Sequence, residues 1–198
     1  MRVFIVGATG VIGRTLVPRL VEDGDSVVAL VRDREHAQRI ALPGVEVVEG
    51  DLLEMSAAEL APLLEGYDAA AHMATALRAG SPGLGTTNTS AALRIDGTRR
   101  LLDAALAAGV SRYVQQSIAL AYVDGGEDWL DGSAAFFRAD PEVAPPHEQM
   151  EQMIRALDGT MEWMILRGGV FVGPDTFQDA TIAELRAGTL RIAGDGRN

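Results

Sequence analysis

A glycine turn close to the start of the chain narrows the fold more than any other feature. Val3-Phe-Ile-Val6 is a continuous apolar run that stops at Gly7, and glycine then recurs in Gly7-Ala-Thr-Gly10-Val-Ile-Gly13. An apolar run without polar alternation suits a strand buried on both faces. Val11, Ile12, Leu16, Val17, Leu20 and Val21 follow at helical spacing, up to Asp23-Gly24. Further strands are predicted at 26–31, 45–48, 68–73, 113–117 and 161–166, with helices at 56–64, 91–108 and 147–157. The stretch 78–90, rich in Gly, Ser and Thr, reads as a mobile loop, and 124–146 as an acidic excursion bearing Gly and Pro. Strand and helix alternating through short turns predict an α/β fold, a doubly wound parallel sheet with helices on both faces.

In that setting the glycines have separate jobs. Gly7 lets the strand turn sharply, Gly10 lets the backbone approach a pyrophosphate, and Gly13 permits close helix–sheet packing. Thr9, Val11 and Ile12 complete the turn, whose helix N-terminus offers N–H groups and positive dipole. An ordinary tight turn is the competing reading. The position between first strand and first helix, with a second strand at the right distance, favours a Rossmann-type dinucleotide site. The second strand ends Val31-Arg32-Asp33-Arg34. A carboxylate there would bind the ribose 2′-hydroxyl of NAD, whereas an arginine favours the 2′-phosphate of NADP. Arginine comes first, so NADP is the expected cofactor and NAD the alternative; a solvated charge run is the bland reading.

Composition removes other classes. Seventeen basic and 28 acidic side chains leave a net charge of −11, and no basic stripe interrupts it, so nucleic acid is not an expected partner. There is no cysteine, which excludes disulfides and thiolate chemistry, and every basic residue is arginine, so there is no lysine. No apolar stretch approaches membrane-spanning length, and a soluble cytoplasmic protein is expected. His36, His72 and His147 are scattered without ligand spacing, so no metal site is expected.

The G-x-x-G-x-x-G spacing resembles that of the extended and atypical short-chain dehydrogenase/reductases, including the NAD-dependent epimerase/dehydratase group and its NmrA-like relatives. Gly50-Asp51-Leu52 resembles that family's adenine-contacting segment after the third strand, and His72-Met73-Ala74 its H-x-A beside the nicotinamide half. Asp96-Gly97-Thr98 resembles its central helix. Leu166-Arg167-Gly168-Gly169 resembles its L-R-P-G segment, with Gly168 where proline is usual. The resemblance thus adds Asp51, Leu52, His72, Met73 and Ala74 to the cofactor set. Taken singly, Asp51 also reads as a turn carboxylate, His72 as a packed imidazole and Arg167 as the partner of a surface carboxylate.

The family's catalytic pattern fails here. Its enzymes use a tyrosine and, four residues later, a lysine that lowers the phenol pKa from near 10. Tyr67, Tyr113 and Tyr122 all lie outside the expected helix, and lysine is absent. The resemblance puts the lysine position at or near His147 and the tyrosine position at or near Val143, with Pro145-Pro146 expected to break the register. The usual catalytic hydroxyl falls nearer Ile118, with Ser117 beside it. Ser117, Tyr122 and His147 are the remaining catalytic candidates, acting on a small-molecule substrate of unknown identity. Two functions compete: a reductase or epimerase-like enzyme with a substituted acid–base set, and a non-catalytic NADP(H)-binding sensor.

Residues 1–175 are expected to form the nucleotide-binding domain. Residues 176–198, with a helix at 176–187, a strand at 190–193 and a G-D-G-x-N-like turn, resemble the beginning of a C-terminal substrate lobe. An open region opposite the nicotinamide, and weak turnover, follow from that reading. Helices 91–108 and 147–157 are expected to form a homodimer face, with packing of their leucines into the core as the alternative.

Overall fold

The computed structural model describes residues 1–76, 87–136, 144–173, 176 and 178–191. Six parallel strands form one sheet: β1 (Arg2–Val6), β2 (Ser26–Val31), β3 (Val45–Glu49), β4 (Ala69–His72), β5 (Arg112–Ile118) and β6 (Glu162–Gly168). Their order is β3-β2-β1-β4-β5-β6, so the direction of winding reverses between β1 and β4. A crevice at the carboxyl ends of the strands is the geometric consequence.

Alternation along the strands sorts the core into two layers. Val3, Ile5, Val27, Ala29, Ala69 and Ala71 face α1 (Val11–Glu22) and a short 3₁₀ helix (His36–Ile40). Phe4, Val28, Ala70 and Tyr113 face α2 (Ala57–Leu64), α4 (Thr98–Ala107) and α5 (Ala144–Arg155). Ser56 starts α2 with a capping box, its hydroxyl accepting from the Glu59 amide while Glu59 reaches back to the Ser56 amide. On the α1 side the edge strand β6 keeps Met164 and Leu166 exposed, and α6 (Gln178–Ala187) buries no residue.

Several sequence expectations are corrected. The segment anticipated as one helix over 91–108 begins earlier, as α3 (Thr87–Ala92), passes through a π turn at Leu93–Gly97 and continues as α4. Residues 78–86 of the expected loop lie outside the described residues, as do 192–198 with their anticipated turn. Leu190 and Arg191 are not in a strand. Pro145 and Pro146 do not break α5: they occupy its first turn, where the missing N–H has no intrahelical partner to lose. Leu101 is fully buried and Leu93 packs on the same core, leaving Leu106 as the exposed leucine of α4.

A buried ion pair ties β5, β6 and α5 together. Glu151 accepts from Arg167 Nε at 2.9 Å and Nη2 at 2.6 Å, and from the Ser117 hydroxyl at 2.8 Å, with Arg155 at 3.5 Å. Arg167 also donates to the Ala134 carbonyl and lies over the Tyr122 and Phe136 rings. Burial alone would raise the Glu151 pKa, but Arg167 and Ser117 hold it below the ordinary carboxylate value. Its contribution to stability is therefore present above the unfolded pKa and is lost as pH falls through the lower folded one. Arg167 is thus not a surface partner. Arg167→Met, which strands the Glu151 charge, should lower the unfolding free energy by about 3–5 kcal/mol in urea titrations. A loss below about 1 kcal/mol would show that the pair is not structural.

His72 ends β4 wholly buried, its ring beneath Gly97, and neither ring nitrogen has a hydrogen-bond partner. Burial pushes its pKa from 6.5 down to about 4; the nearby Leu93 backbone offsets part of this without forming a well-aligned bond. A depressed histidine takes up its proton more readily when unfolded, so stability falls as pH drops from 6.5 towards 4. His72→Leu should flatten that part of the stability–pH curve by up to about 3 kcal/mol. Parallel wild-type and variant curves would place the acid sensitivity elsewhere.

Candidate active site

The cleft starts where β1 ends. Gly7 turns with φ +88°, and a Cβ there would lie 2.4 Å from the Ala74 nitrogen, because Met73 is drawn onto β1 by donating to the Val6 carbonyl. Only glycine satisfies both conditions. A Cβ on Gly13 would meet the Ala8 carbonyl oxygen at 2.3 Å, so α1 sits directly against the turn. Gly10 differs. Its φ of −76° is open to any residue, and a Cβ would meet only the Gly7 carbonyl oxygen, at 3.3 Å. The fold itself asks little of this position, and the space beside it belongs to the cleft. No side chain caps α1 and no acid sits in its first turn, which leaves a positive helix end facing that space.

The cavity measures about 900 Å³ and runs across the carboxyl ends of the sheet. Gly7, Thr9, Gly10, Val11 and Ile12 line one wall, Arg32, Asp51 and Leu52 the end near β2, and Met73 and Ala74 the floor beyond β4. Gly13 lies behind the wall, as its contact with Ala8 requires. Asp51 also accepts from the Leu53 amide at 2.8 Å, so it closes a turn as well as facing the cleft.

The charged groups around β2 divide sharply. Arg32 and Arg39 line the cleft and are exposed. Arg34 pairs with Glu49 at 3.3 Å. The Asp33 carboxylate is turned onto its own loop, accepting from the Glu35 amide at 2.7 Å and contacting His36 Nδ1 at 3.1 Å, and the Glu35 amide holds its pKa below the ordinary value.

At the other end the catalytic candidates separate. Successive residues of β5 alternate in direction, so Gln116 and Ile118 line the cleft while Ser117 points to Glu151. Tyr122 stacks on Phe136 and does not line the cleft. His72 lies beneath the lining, not in it. His147 lines the cleft from the first turn of α5, almost wholly buried, with the Phe136 ring 6.5 Å away. Val143 lies outside the described residues. Among those described, no three His, Asp or Glu groups converge to hold a metal, and no helix is long and apolar enough to cross a membrane.

Sequence reasoning missed Arg39, Ser90, Arg94, Phe171 and Thr176 as lining groups. Arg94 had a legible signal: it falls on the inward stripe Ser90, Leu93, Gly97, Leu101, where an arginine is out of place. A Cβ on Gly168 would meet the tip of the Phe171 ring at 2.8 Å, so any larger residue there would displace that ring.

Comparison with known proteins agrees with this geometry. Residues 7–189 match the family model described as NAD(P)H-binding. The chain is 36% identical over 183 residues to a 3-diazoavenalumate denitrifying reductase from a Streptomyces species, covering 89% of this chain and 58% of that protein. It is 29% identical over 212 residues to the 2-alkyl-3-oxoalkanoate reductase of Stenotrophomonas maltophilia (strain K279a), covering 100% of this chain and 60% of that one. Among solved structures, dTDP-glucose 4,6-dehydratase DesIV from Streptomyces venezuelae, with NAD and TYD bound, superposes with a TM-score of 0.71 at 25% identity, covering 100% of this chain and 66% of that one. The chain thus spans about six-tenths of the length of the curated relatives it matches. With a parallel sheet wound in the Rossmann order and its glycine turn opening on the cleft, the chain belongs to the NAD(P)H-binding family and has the fold of the NAD-dependent epimerase/dehydratase enzymes.

Proposed function

We propose that the protein takes NADP(H) in preference to NAD(H) and reduces a carbonyl substrate, with His147 exchanging the proton. The cofactor reading rests on the end of the cleft near β2, where Arg32 and Arg39 face inward and the competing carboxylate of Asp33 is occupied by its own loop. A 2′-phosphate would meet guanidinium groups there, and the pyrophosphate would lie against Gly10 and the uncapped start of α1. When bound, NADPH supplies a hydride. The chain's own part is to hold the carbonyl and deliver a proton to its oxygen. Ser117 is bound to Glu151 and Tyr122 lies off the cleft, so His147 is the candidate that the cleft retains. A histidine suits the task because its ring nitrogens can each accept or donate a proton. Leu120, Val170 and Phe171 add an exposed apolar wall to the cleft, so slow turnover is expected.

A sensor that binds NADP(H) without turnover is the second reading, favoured by the engagement of Ser117 with Glu151 and the absence of lysine.

Fluorescence titration should give at least about tenfold tighter binding of NADPH than of NADH, and Arg32→Ala should remove most of the difference. Gly10→Val should abolish binding of both with little change in Tm. Equal affinities would overturn the NADP assignment, and a Gly10→Val protein that binds normally would move the phosphate site.

Single-turnover oxidation of NADPH with a panel of aldehydes tests the chemistry. His147→Gln should slow it by about 10²–10⁴-fold while leaving NADPH affinity unchanged. An unaltered rate would remove His147 from the mechanism, and no oxidation by the wild type would favour the sensor.

A further inference from the structure

Arg94 sits on the π turn between α3 and α4, lines the cleft and is largely withdrawn from water, which lowers its pKa to about 10. Among the described residues it makes no ion pair and no hydrogen bond. Ser90, one turn earlier, also lines the cleft; it is 3% exposed and its hydroxyl has no partner. A sheltered cation without a counter-charge is costly, as is a buried hydroxyl without a partner. Both costs fall on one wall of the cleft, and among the described lining residues the acidic one is Asp51, near β2.

Ser90 and Arg94 stand four residues apart and so share one helix face, which looks into the cleft, while beyond the π turn Thr98, Leu101 and Leu102 continue into the core. The same turn packs against α5, the helix that carries His147. Arg94 and His147 are therefore carried into the cavity by elements in contact with each other.

We infer that Arg94, assisted by the Ser90 hydroxyl, anchors an anionic oxygen group on the substrate, a carboxylate or a phosphate monoester, beside the reacting carbonyl. The inference rests on the function proposed above and adds the substrate's chemical class. A planar guanidinium binds either group through two parallel hydrogen bonds, which would orient the substrate as well as hold it. In a chain of net charge −11, the arginine gives an anion a local reason to enter. Arg94 is a specificity residue in this scheme, and the proton remains with His147.

The probes are benzoate and phenyl phosphate, with benzyl alcohol as the neutral control, titrated calorimetrically into the full chain with and without saturating NADP⁺. At least one anion should bind the NADP⁺ complex about tenfold or more tightly than benzyl alcohol, and the tighter anion names the class. Arg94→Met keeps the packing stem and should weaken that anion at least about tenfold while changing NADPH affinity less than about twofold; Arg94→Lys should restore part of the loss. Anion affinity unchanged in Arg94→Met, or no anion binding by the wild type, overturns the inference. So does a tenfold loss of NADPH affinity in Arg94→Met, which would make Arg94 a cofactor contact. A wild type that fails to bind NADPH sinks the proposed function instead, and anion titration of the cofactor-free chain then decides Arg94 by the same comparison of wild type and variant.

Discussion

Between Gly7 and the Met73–Ala74 backbone there is no room for a side chain: a Cβ on Gly7 would stand 2.4 Å from the Ala74 nitrogen. This close approach occurs where winding reverses between β1 and β4, and it is what opens the crevice. The first strand must leave the sheet at once, with φ +88°, and the Met73 amide bonds to Val6 to hold the neighbouring strand against it. Gly13 then lets α1 lie directly on the turn, so the helix begins at the mouth of the cleft. Everything that lines the cleft is placed relative to that corner.

Charge is arranged against the average of the molecule. The chain carries −11, yet among the described residues Arg14, Arg32, Arg39 and Arg94 line the cleft with Asp51 as their acid. Other arginines are paired inside the fold, as with Arg167 on Glu151, or at its edge, as with Arg34 on Glu49. The Glu151 pair also accounts for Ser117, whose hydroxyl completes the carboxylate's hydrogen bonding. What reads as a catalytic hydroxyl in one dimension is part of a structural junction in three. His147 lies one turn before Glu151 on the same helix, so the junction that turns Ser117 away from the cleft also holds His147 in the cleft wall.

The alternation of strands and helices, the parallel sheet and the glycine turn were legible because each is written in local order. An apolar run marks a strand buried on both faces, a 3.6-residue period marks an amphipathic helix, and glycine marks a place where a side chain cannot go. The start of α5 was misread because proline breaks helix interiors but is welcome in a first turn. The π turn at Leu93–Gly97 left no local signature strong enough to read, since one extra residue in a helix hardly disturbs the apolar period around it.

The sequence by itself determined the fold class, the position of the glycine turn and the absence of the tyrosine–lysine pair, since these depend on residue type and near neighbours. The tertiary structure alone decided which polar groups face the cleft. Ser117, Tyr122 and His147 were equivalent candidates along the chain, and strand alternation, ring stacking and the first turn of α5 sent only the last of them into the cavity. Asp33 and Arg32 are adjacent in sequence, yet hydrogen bonds turn one back onto its loop and leave the other facing the site. The physical reason is the same in each case: where a side chain points is set by contacts with residues distant in the chain, and those exist only once the sheet has closed around them.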